Sequence, residues 1–331
     1  MVVSFVVVAY NEQNTLPKLL DDLRRQDYPH DKIEILLIDS LSTDDTRRIM
    51  QDFADSDHGF RRVLVLTNDT KFLPGGNNVA LRHYEGDAFV RVDAHGTIPP
   101  EFIRKNVDVL QSGEMVSGGP RPNIIDEATP FKETLLTAEQ SMFGSGFASY
   151  RHSTEKIYPS SLFCGMYRRE VFDKVGPYNE RLLRTEDNDM SQRIRAAGFR
   201  LCYSPEIISY QHTRNTLKKM LRQKYLNGLW IGRTMGVNPR CFSPFHFVPL
   251  IFVLGILFTT VLALCGFPWL GALMWAAYGL LVVGISLVEI IKKPLLTNLL
   301  LPILFLLLHV TYGVGTLVGL VDMPFWRRRS R

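Results

Sequence analysis

The last quarter of the chain is almost without charge. Cys241 to Val288 is a run of 48 residues holding no Asp, Glu, Lys or Arg, and Pro294 to Val321 is a second of 28. Only 8 of the 71 charged residues in the 331-residue chain lie after Arg240. A bilayer-spanning helix needs about 20 largely apolar residues, so this deficit excludes a wholly soluble protein. Cysteine is scarce as well. The four present, Cys164, Cys202, Cys241 and Cys265, have neither zinc-like spacing nor the density of a disulfide framework, which points to a reducing compartment. An excess of basic charge is missing from the polar part, where residues 1–240 carry 32 basic and 31 acidic side chains. That balance argues against a nucleic-acid-binding surface. The opening MVVSFVVVAYNE lacks a basic leader and has only a short apolar run, so it reads as a buried strand and not as a signal peptide.

What is present in residues 1–213 is an alternation of strand and helix. Val2 to Ala9 is apolar and β-branched, and Leu16, Leu19, Leu20 and Leu23 follow at helical spacing. Strand-like Ile33 to Ile38 precedes Asp39 and a helix at Thr43 to Phe53; strand-like Val63 to Leu66 precedes a helix at Asn77 to Tyr84; Ala88 to Val92 runs into Asp93. Such alternation predicts an α/β fold, a mostly parallel sheet between helices with its site at the carboxyl ends of the strands. Polar residues cluster at those ends: Asn11 and Glu12, then Asp39, then Asp93 with His95. Beyond Pro100 the pattern loosens into a helix near Phe131 to Met142, a segment FCGMYRREVF and an acidic helix start at TEDNDM. No repeat or low-complexity linker divides this stretch, so residues 1–213 are expected to form one domain. Residues 214–240 set Leu217, Met220, Leu221, Tyr225 and Leu229 among basic residues, as in a helix at the lipid interface. Residues 241–331 are then the transmembrane region with its basic C-terminus.

VVVAYNEQNTL, LLIDSLSTDDT, RVDAHG and TEDNDMSQRIRAAG, in this order, resemble the family 2 inverting glycosyltransferases of the GT-A fold. RVDAH, SGGP, FGSGFASYR, GMYRREVF and HVTYGVGTLVGL bring the resemblance nearest to membrane-attached exopolysaccharide transferases of the succinoglycan-biosynthesis type. The resemblance implies a Rossmann-like sheet followed by C-terminal transmembrane helices. It also implies a divalent cation, Mn or Mg, on Asp93 and His95, where it would offset charge on the departing nucleotide diphosphate. The family usually has Asp-x-Asp there, and a neutral imidazole at the second place favours Mn. His212 is a further ligand candidate. Ala9, Tyr10 and Glu12 match the nucleobase segment, and Asp39 matches an acid that contacts the nucleotide, although the second acid common there is Ser40. Lys71 and Asn78 match positions that meet the diphosphate or hold its loop. Gly75 and Gly76 either bring that backbone close to a ligand or form a turn. Gly165 matches a glycine lining the sugar pocket, and Arg214 a basic position facing lipid phosphate. Asp187 matches the base that deprotonates the acceptor hydroxyl, with Glu186 the competing acid; at a helix start an ionised carboxylate is favoured.

The activity implied is transfer of a hexose, glucose from UDP-glucose, onto a polyprenyl-diphosphate-linked glycan in exopolysaccharide or capsule assembly. The alternatives are a polyprenyl-phosphate monoglycosyltransferase and a catalytically silent nucleotide-sugar-binding scaffold among other polysaccharide-assembly enzymes. Gln-x-x-Arg-Trp, the signature of processive synthases, is missing, which favours addition of one sugar per encounter. Spans are expected at Phe245 to Phe267, Leu270 to Ile291 and Leu295 to Val321. Lys292 and Lys293 mark a cytoplasmic end, which places the catalytic domain on the cytoplasmic side of a multi-pass membrane protein. A full third crossing then carries the basic residues Arg327 to Arg331 outside, against that rule.

Overall fold

The computed structural model describes residues 1–125, 127–144, 153–212 and 216–329. The elements begin with β1 (Val3–Ala9), α1 (Leu16–Arg24), β2 (Ile33–Asp39) and α2 (Thr46–Asp55). They continue with β3 (Arg62–Thr67), α3 (Leu73–His83), β4 (Ala88–Arg91) and β5 (Gly96–Thr97). Next come α4 (Phe102–Gln111), β6 (Val116–Gly118), β7 (Asn123–Ile124) and α5 (Pro130–Gln140). The middle of the chain closes with β8 (Met166–Arg168), α6 (Arg169–Val175), α7 (Glu186–Ala196), β9 (Cys202–Tyr203) and β10 (Tyr210–His212). Four helices follow: α8 (Leu217–Thr234), α9 (Val248–Leu264), α10 (Trp269–Lys292) and α11 (Leu301–Arg329). The chain divides into two compact units, Met1–Pro122 with Tyr150–His212, and Asn123–Ser149 with Thr213–Arg331.

The first unit is built on a seven-stranded sheet of order β3-β2-β1-β4-β8-β6-β9. β1 runs parallel to β2 and β4, and β2 runs parallel to β3; β8 is antiparallel to both neighbours. Both faces are covered, which explains why β1 and β2 read as mainly apolar runs, broken at Ser4 and Glu34, and not as alternating ones. Val3, Phe5 and Val7 pack with Leu16, Leu19 and Leu23 of α1 and Phe102 of α4 on one face. Val6, Leu36 and Phe89 pack with Val79 of α3, Phe172 of α6 and Met190 and Ile194 of α7 on the other.

The strands appear where the apolar runs predict them, but α3 starts four residues before the predicted Asn77. Pro74 sits in its first turn, where a missing N–H is harmless, and Gly75 and Gly76 belong to the helix. A Cβ on Gly75 would lie 2.0 Å from Thr70 Oγ1, and one on Gly76 would lie 2.5 Å from Val8 Cγ1. The two glycines therefore let the helix press against β1 and the loop after β3. This packing requirement explains them without any turn.

In the second unit, three segments are long and apolar enough to cross a membrane: Pro244–Leu264, Trp269–Lys292 and Leu296–Arg328. α8 lies against α11 with backbone nearly touching backbone. A Cβ at Gly228 would come within 2.2 Å of Tyr312 O, and at Gly232 within 2.5 Å of Leu320 N. From the other side, a Cβ at Gly315 or Gly319 would come within 2.2 Å of Tyr225 O or Leu229 O. Small residues four apart on both partners permit this approach. Gly313 seats α9 in the same way, against Pro249 O. The helix α5 joins this unit through polar contacts: Thr134 Oγ1 donates to Asn298 Oδ1 (2.7 Å), and Lys224 pairs with Glu139 (3.4 Å).

Candidate active site

The loops that leave β1, β2, β3 and β4 meet at one end of the sheet. Among the described residues, four non-glycine residues have positive φ: Asn11 (55°), Leu41 (60°), Lys71 (59°) and Cys164 (51°). Three of them lie in the loops after β1, β2 and β3, and the fourth precedes β8. Left-handed backbone costs energy for such residues and persists where the surroundings hold it, commonly at functional sites. Here the holding contacts are visible. Asn11 N–H donates to Ser42 Oγ (3.0 Å), Asn11 Oδ1 accepts from Thr43 N–H (2.8 Å), and Glu12 N–H donates to Thr46 Oγ1 (2.8 Å). These bonds lace the β1 loop to the β2 loop.

Asp39, at the end of β2, is buried; its Oδ1 accepts from Ser42 N–H (3.2 Å) and its Oδ2 lies 3.5 Å from Arg47 Nη1. Ser40, which stands where relatives commonly have a second acid, is also buried and its hydroxyl accepts from Asn68 Nδ2 (2.9 Å). Ala9 is buried at the strand end and its carbonyl accepts from Ser40 N–H (2.8 Å). Tyr10 is 46% exposed, with Lys71 Nζ 6.0 Å from its ring centre. This exposed ring with a cation beside it is the surface a nucleobase and phosphate could use. Asn78 is committed elsewhere: its amide donates to Tyr178 O (2.9 Å) and Glu180 Oε1 (2.8 Å), and its Oδ1 accepts from Tyr178 N–H (2.8 Å). It holds the 178–180 segment onto α3. Gly165 is buried, and a Cβ there would meet Ser117 O and the Tyr167 ring at 3.2 Å. Arg214 lies outside the described residues.

β4 carries the charged centre. Arg91 ends β4 and Asp93 follows it by two residues in the loop. Arg91 is buried and its Nη2 donates to Asp187 Oδ2 at 2.8 Å, while its Nη1 lies 3.7 Å from Glu186 Oε1. Asp93 Oδ2 accepts from Arg121 Nη2 at 2.6 Å. Burial alone would raise the Asp93 carboxyl, but Arg121, Arg91 and His95 outweigh it and hold the group well below the usual carboxylate range. Glu186 goes the opposite way: burial, then the Asp187 charge, push it well above that range against the pull of Arg91. Glu186 therefore resists ionisation more than an ordinary carboxyl, and Asp187 is the acid of the pair that hydrogen-bonds the guanidinium. Arg91 and Arg121 escaped the reading of the sequence. The available signal was a charge inside an apolar strand, AFVRVD, and an arginine between two prolines.

His95 follows Asp93 after one residue, and its Nδ1 lies 3.2 Å from Glu12 Oε1. Burial would raise Glu12, but hydrogen bonds from His95 and Thr15 overturn this and keep its carboxyl below the ordinary value. His212, on β10, has its Nε2 3.0 Å from Thr97 Oγ1 on β5. Among the described residues no three His, Cys, Asp or Glu side chains converge into a metal cage. Asp93 and His95 nevertheless fit a cation that takes its other ligands from a diphosphate, as nucleotide-bound cations commonly do. The ionised carboxylate retains an oxygen beyond the one on Arg121, and a ring bound at Nδ1 presents Nε2.

The family model for Glycosyl transferase family 2 matches residues 4–176. The chain is 23% identical over 325 residues to the dolichyl N-acetyl-alpha-D-glucosaminyl phosphate 3-beta-D-2,3-diacetamido-2,3-dideoxy-beta-D-glucuronosyltransferase of Methanococcus voltae, covering 96% of this chain and 97% of that protein. It is 25% identical over 226 residues to the succinoglycan biosynthesis protein ExoA of Rhizobium meliloti, 66% of each chain. The mannosyltransferase PcManGT from Pyrobaculum calidifontis, solved in complex with GDP-Man and Mn2+, superposes with a TM-score of 0.59 at 18% identity, over 98% of this chain and 87% of that one. The likeness at this identity concerns the fold, the GT-A arrangement expected from the motifs.

Proposed function

Because the chain belongs to glycosyl transferase family 2, we propose that it is a membrane-bound inverting transferase that moves a hexose from a nucleotide sugar to a polyprenyl-diphosphate-linked glycan. The donor is UDP-glucose, the product enters exopolysaccharide or capsule assembly, and the catalytic unit faces the cytoplasm. One observation carries the reading. Asp187 is paired with Arg91 at 2.8 Å, two residues from Asp93, so the acid suited to deprotonate an acceptor and the residues suited to hold a donor share one strand end. The membrane-length helices supply the reason for a lipid-linked acceptor. The relative from Methanococcus voltae is named for a dolichyl phosphate-linked sugar, which supports that acceptor class.

In the reaction, Asp187 takes the proton of the acceptor hydroxyl. The acceptor oxygen bonds to the anomeric carbon from the face opposite the diphosphate, the bond to the diphosphate oxygen breaks, and the configuration inverts. Arg91 fixes the carboxylate by its hydrogen bond, and Glu186, whose ionisation burial disfavours, lies beside it. Asp93 and His95 would hold a divalent cation, Mn in preference to Mg, which when bound neutralises charge on the nucleoside diphosphate leaving group. Tyr10 and Lys71 offer stacking and charge to the nucleotide.

The test is release of UDP from UDP-glucose by membranes containing the protein, with Mn2+ and a polyprenyl-diphosphate sugar, and mass detection of the product. Glucosylated lipid that disappears in the Asp187→Asn variant is the expected result. Product only with polyprenyl phosphate as acceptor replaces the reading with a monoglycosyltransferase. UDP binding with no turnover that differs between wild type and Asp187→Asn leaves a silent scaffold.

A further inference from the structure

We propose that Glu12 is a positioning residue for His95, holding its imidazole through Nδ1 so that Nε2 is the nitrogen presented to the cation. The inference rests on the reading of Asp93 and His95 as the cation-binding pair and adds to it a residue from a different strand end. Sequence resemblance places Glu12 in the nucleobase segment, and each polar group of the residue has a partner beside His95. Its Oε1 lies 3.2 Å from His95 Nδ1, and its Oε2 accepts from Thr15 Oγ1 at 2.5 Å. Its N–H donates to Thr46 Oγ1 (2.8 Å), and its carbonyl accepts from Thr15 N–H (3.0 Å) and Leu16 N–H (2.9 Å). Thr15, at the start of α1, thus fixes the carboxylate, Thr46 of α2 fixes the backbone, and the other carboxylate oxygen is turned toward the imidazole.

A carboxylate has no proton to give, so a neutral imidazole beside it must carry its hydrogen on Nδ1. That leaves the lone pair on Nε2. Metal-bound histidines commonly have such a partner on the other nitrogen, which sets tautomer and ring direction and makes the ligand more basic. The arrangement also explains how the usual Asp-x-Asp can tolerate a histidine. Two aspartates bring two negative charges to the cation; Asp93 and His95 bring one, and Glu12 supplies the second through the ring. The role is therefore tied to the histidine. With aspartate at position 95 the same carboxylate would face a like charge at close range, and its effect should change sign.

The experiment measures Mn2+ affinity of the full-length, detergent-solubilised protein by the paramagnetic resonance signal of unbound Mn2+, with saturating UDP or GDP, whichever the wild type binds. Four proteins are compared: wild type, Glu12→Gln, His95→Asp and the double variant. Glu12→Gln is expected to weaken Mn2+ binding about tenfold, and in the His95→Asp background the same change should strengthen it several-fold. Thr15→Val, which removes only the hydroxyl on Oε2, should weaken it less and in the same direction, and covers the case of a misfolded Glu12 variant. Equal Mn2+ affinity of wild type and Glu12→Gln overturns the proposal, as does weakening of similar size in both backgrounds. Nucleotide affinity without Mn2+ should not change in Glu12→Gln; a loss there makes Glu12 a nucleotide contact and also overturns it. A wild type that binds nucleotide and no Mn2+ removes the cation reading itself, and that failure is seen before any variant is made.

Discussion

The sheet of the first unit has a buried charge cluster at each end, and the two are finished differently. At the amino end, Glu34 on β2 accepts from Ser4 Oγ, Glu85 N–H (2.9 Å) and Gly86 N–H (3.3 Å), and Arg62 clasps it while also reaching Glu85 Oε1 (2.9 Å) and His83 O (2.6 Å). At the carboxyl end, Arg91, Asp187, Glu186, Asp93 and Arg121 form a cluster in which Arg91 Nη1, Arg121 Nε and Glu186 Oε2 have no hydrogen-bond partner among the described residues. Buried polar atoms are nearly always satisfied, and each exception asks for an explanation. The satisfied cluster closes the bottom of the sheet. The other retains bonding capacity, as the proposed site requires of groups that substrate completes. On the proposed function, the contrast separates charges that hold a fold from charges that act.

That contrast can be broken experimentally at four points. Asp187→Asn should lower kcat by about 10²- to 10⁴-fold, the range for removing a general base, while nucleotide affinity stays close to wild type and the melting temperature falls because buried Arg91 loses its counter-charge. Product formation at the wild-type rate would return the carboxyl-end cluster to a structural role. Arg91→Met leaves buried carboxylates without their cation, which costs about 3–5 kcal/mol of stability, and turnover should fall with it. Arg91→Lys should recover most of the melting temperature and less of the rate, because one ammonium cannot reach both Asp187 and Glu186 as a fork does. Glu34→Gln should cost about 1–3 kcal/mol through the hydrogen bonds it weakens, with turnover per folded molecule unchanged. A change in rate there would erase the distinction between the two ends.

The smallest effect concerns Glu186, and its sign follows from protonation. Burial and the Asp187 charge raise its folded pKa above the unfolded one, so the folded state holds the proton more tightly. The resulting stability is complete below the unfolded carboxyl value, near pH 4, and is lost as pH rises through the folded value. Glu186→Gln cannot lose a proton. Its melting temperature should match wild type in acid and exceed it by a growing margin toward alkaline pH, a shift readable in a pH series of thermal melts.

Much of this architecture is legible in the residues. The apolar runs of β1, β2 and β4 mark strands covered on both faces, and Asp39, Asp93 and Glu12 mark their carboxyl ends. What escaped is what depends on packing. Pro74, Gly75 and Gly76 look like a turn by local rules, and only the closeness of Thr70 and Val8 makes them a helical turn. Arg91 sits among apolar neighbours on β4, and nothing in that stretch says that its partner is almost a hundred residues away on α7. Asn78 matches a position that meets the diphosphate or holds its loop, and only the fold shows that its side chain bonds Tyr178 and Glu180. The helix α5 is separated in sequence from α8 by nearly the whole second half of the first unit and lies still farther from Asn298, so its grouping with them through Glu139 and Thr134 has no local signature.

The glycine seams of α11 have a practical consequence. A helix that serves as an anchor can be exchanged for any other apolar segment of the same length, since lipid does not read its surface. α11 does not qualify. Gly315 and Gly319 receive α8, and Gly313 receives α9, so the final helix is a spine on which two earlier helices are indexed at fixed heights. Replacing it with a generic membrane helix would retain the protein in the bilayer and unseat α8, the segment that follows directly on the last strand of the catalytic unit. Chimaeras that swap tails among such transferases should therefore exchange α8 and α11 together.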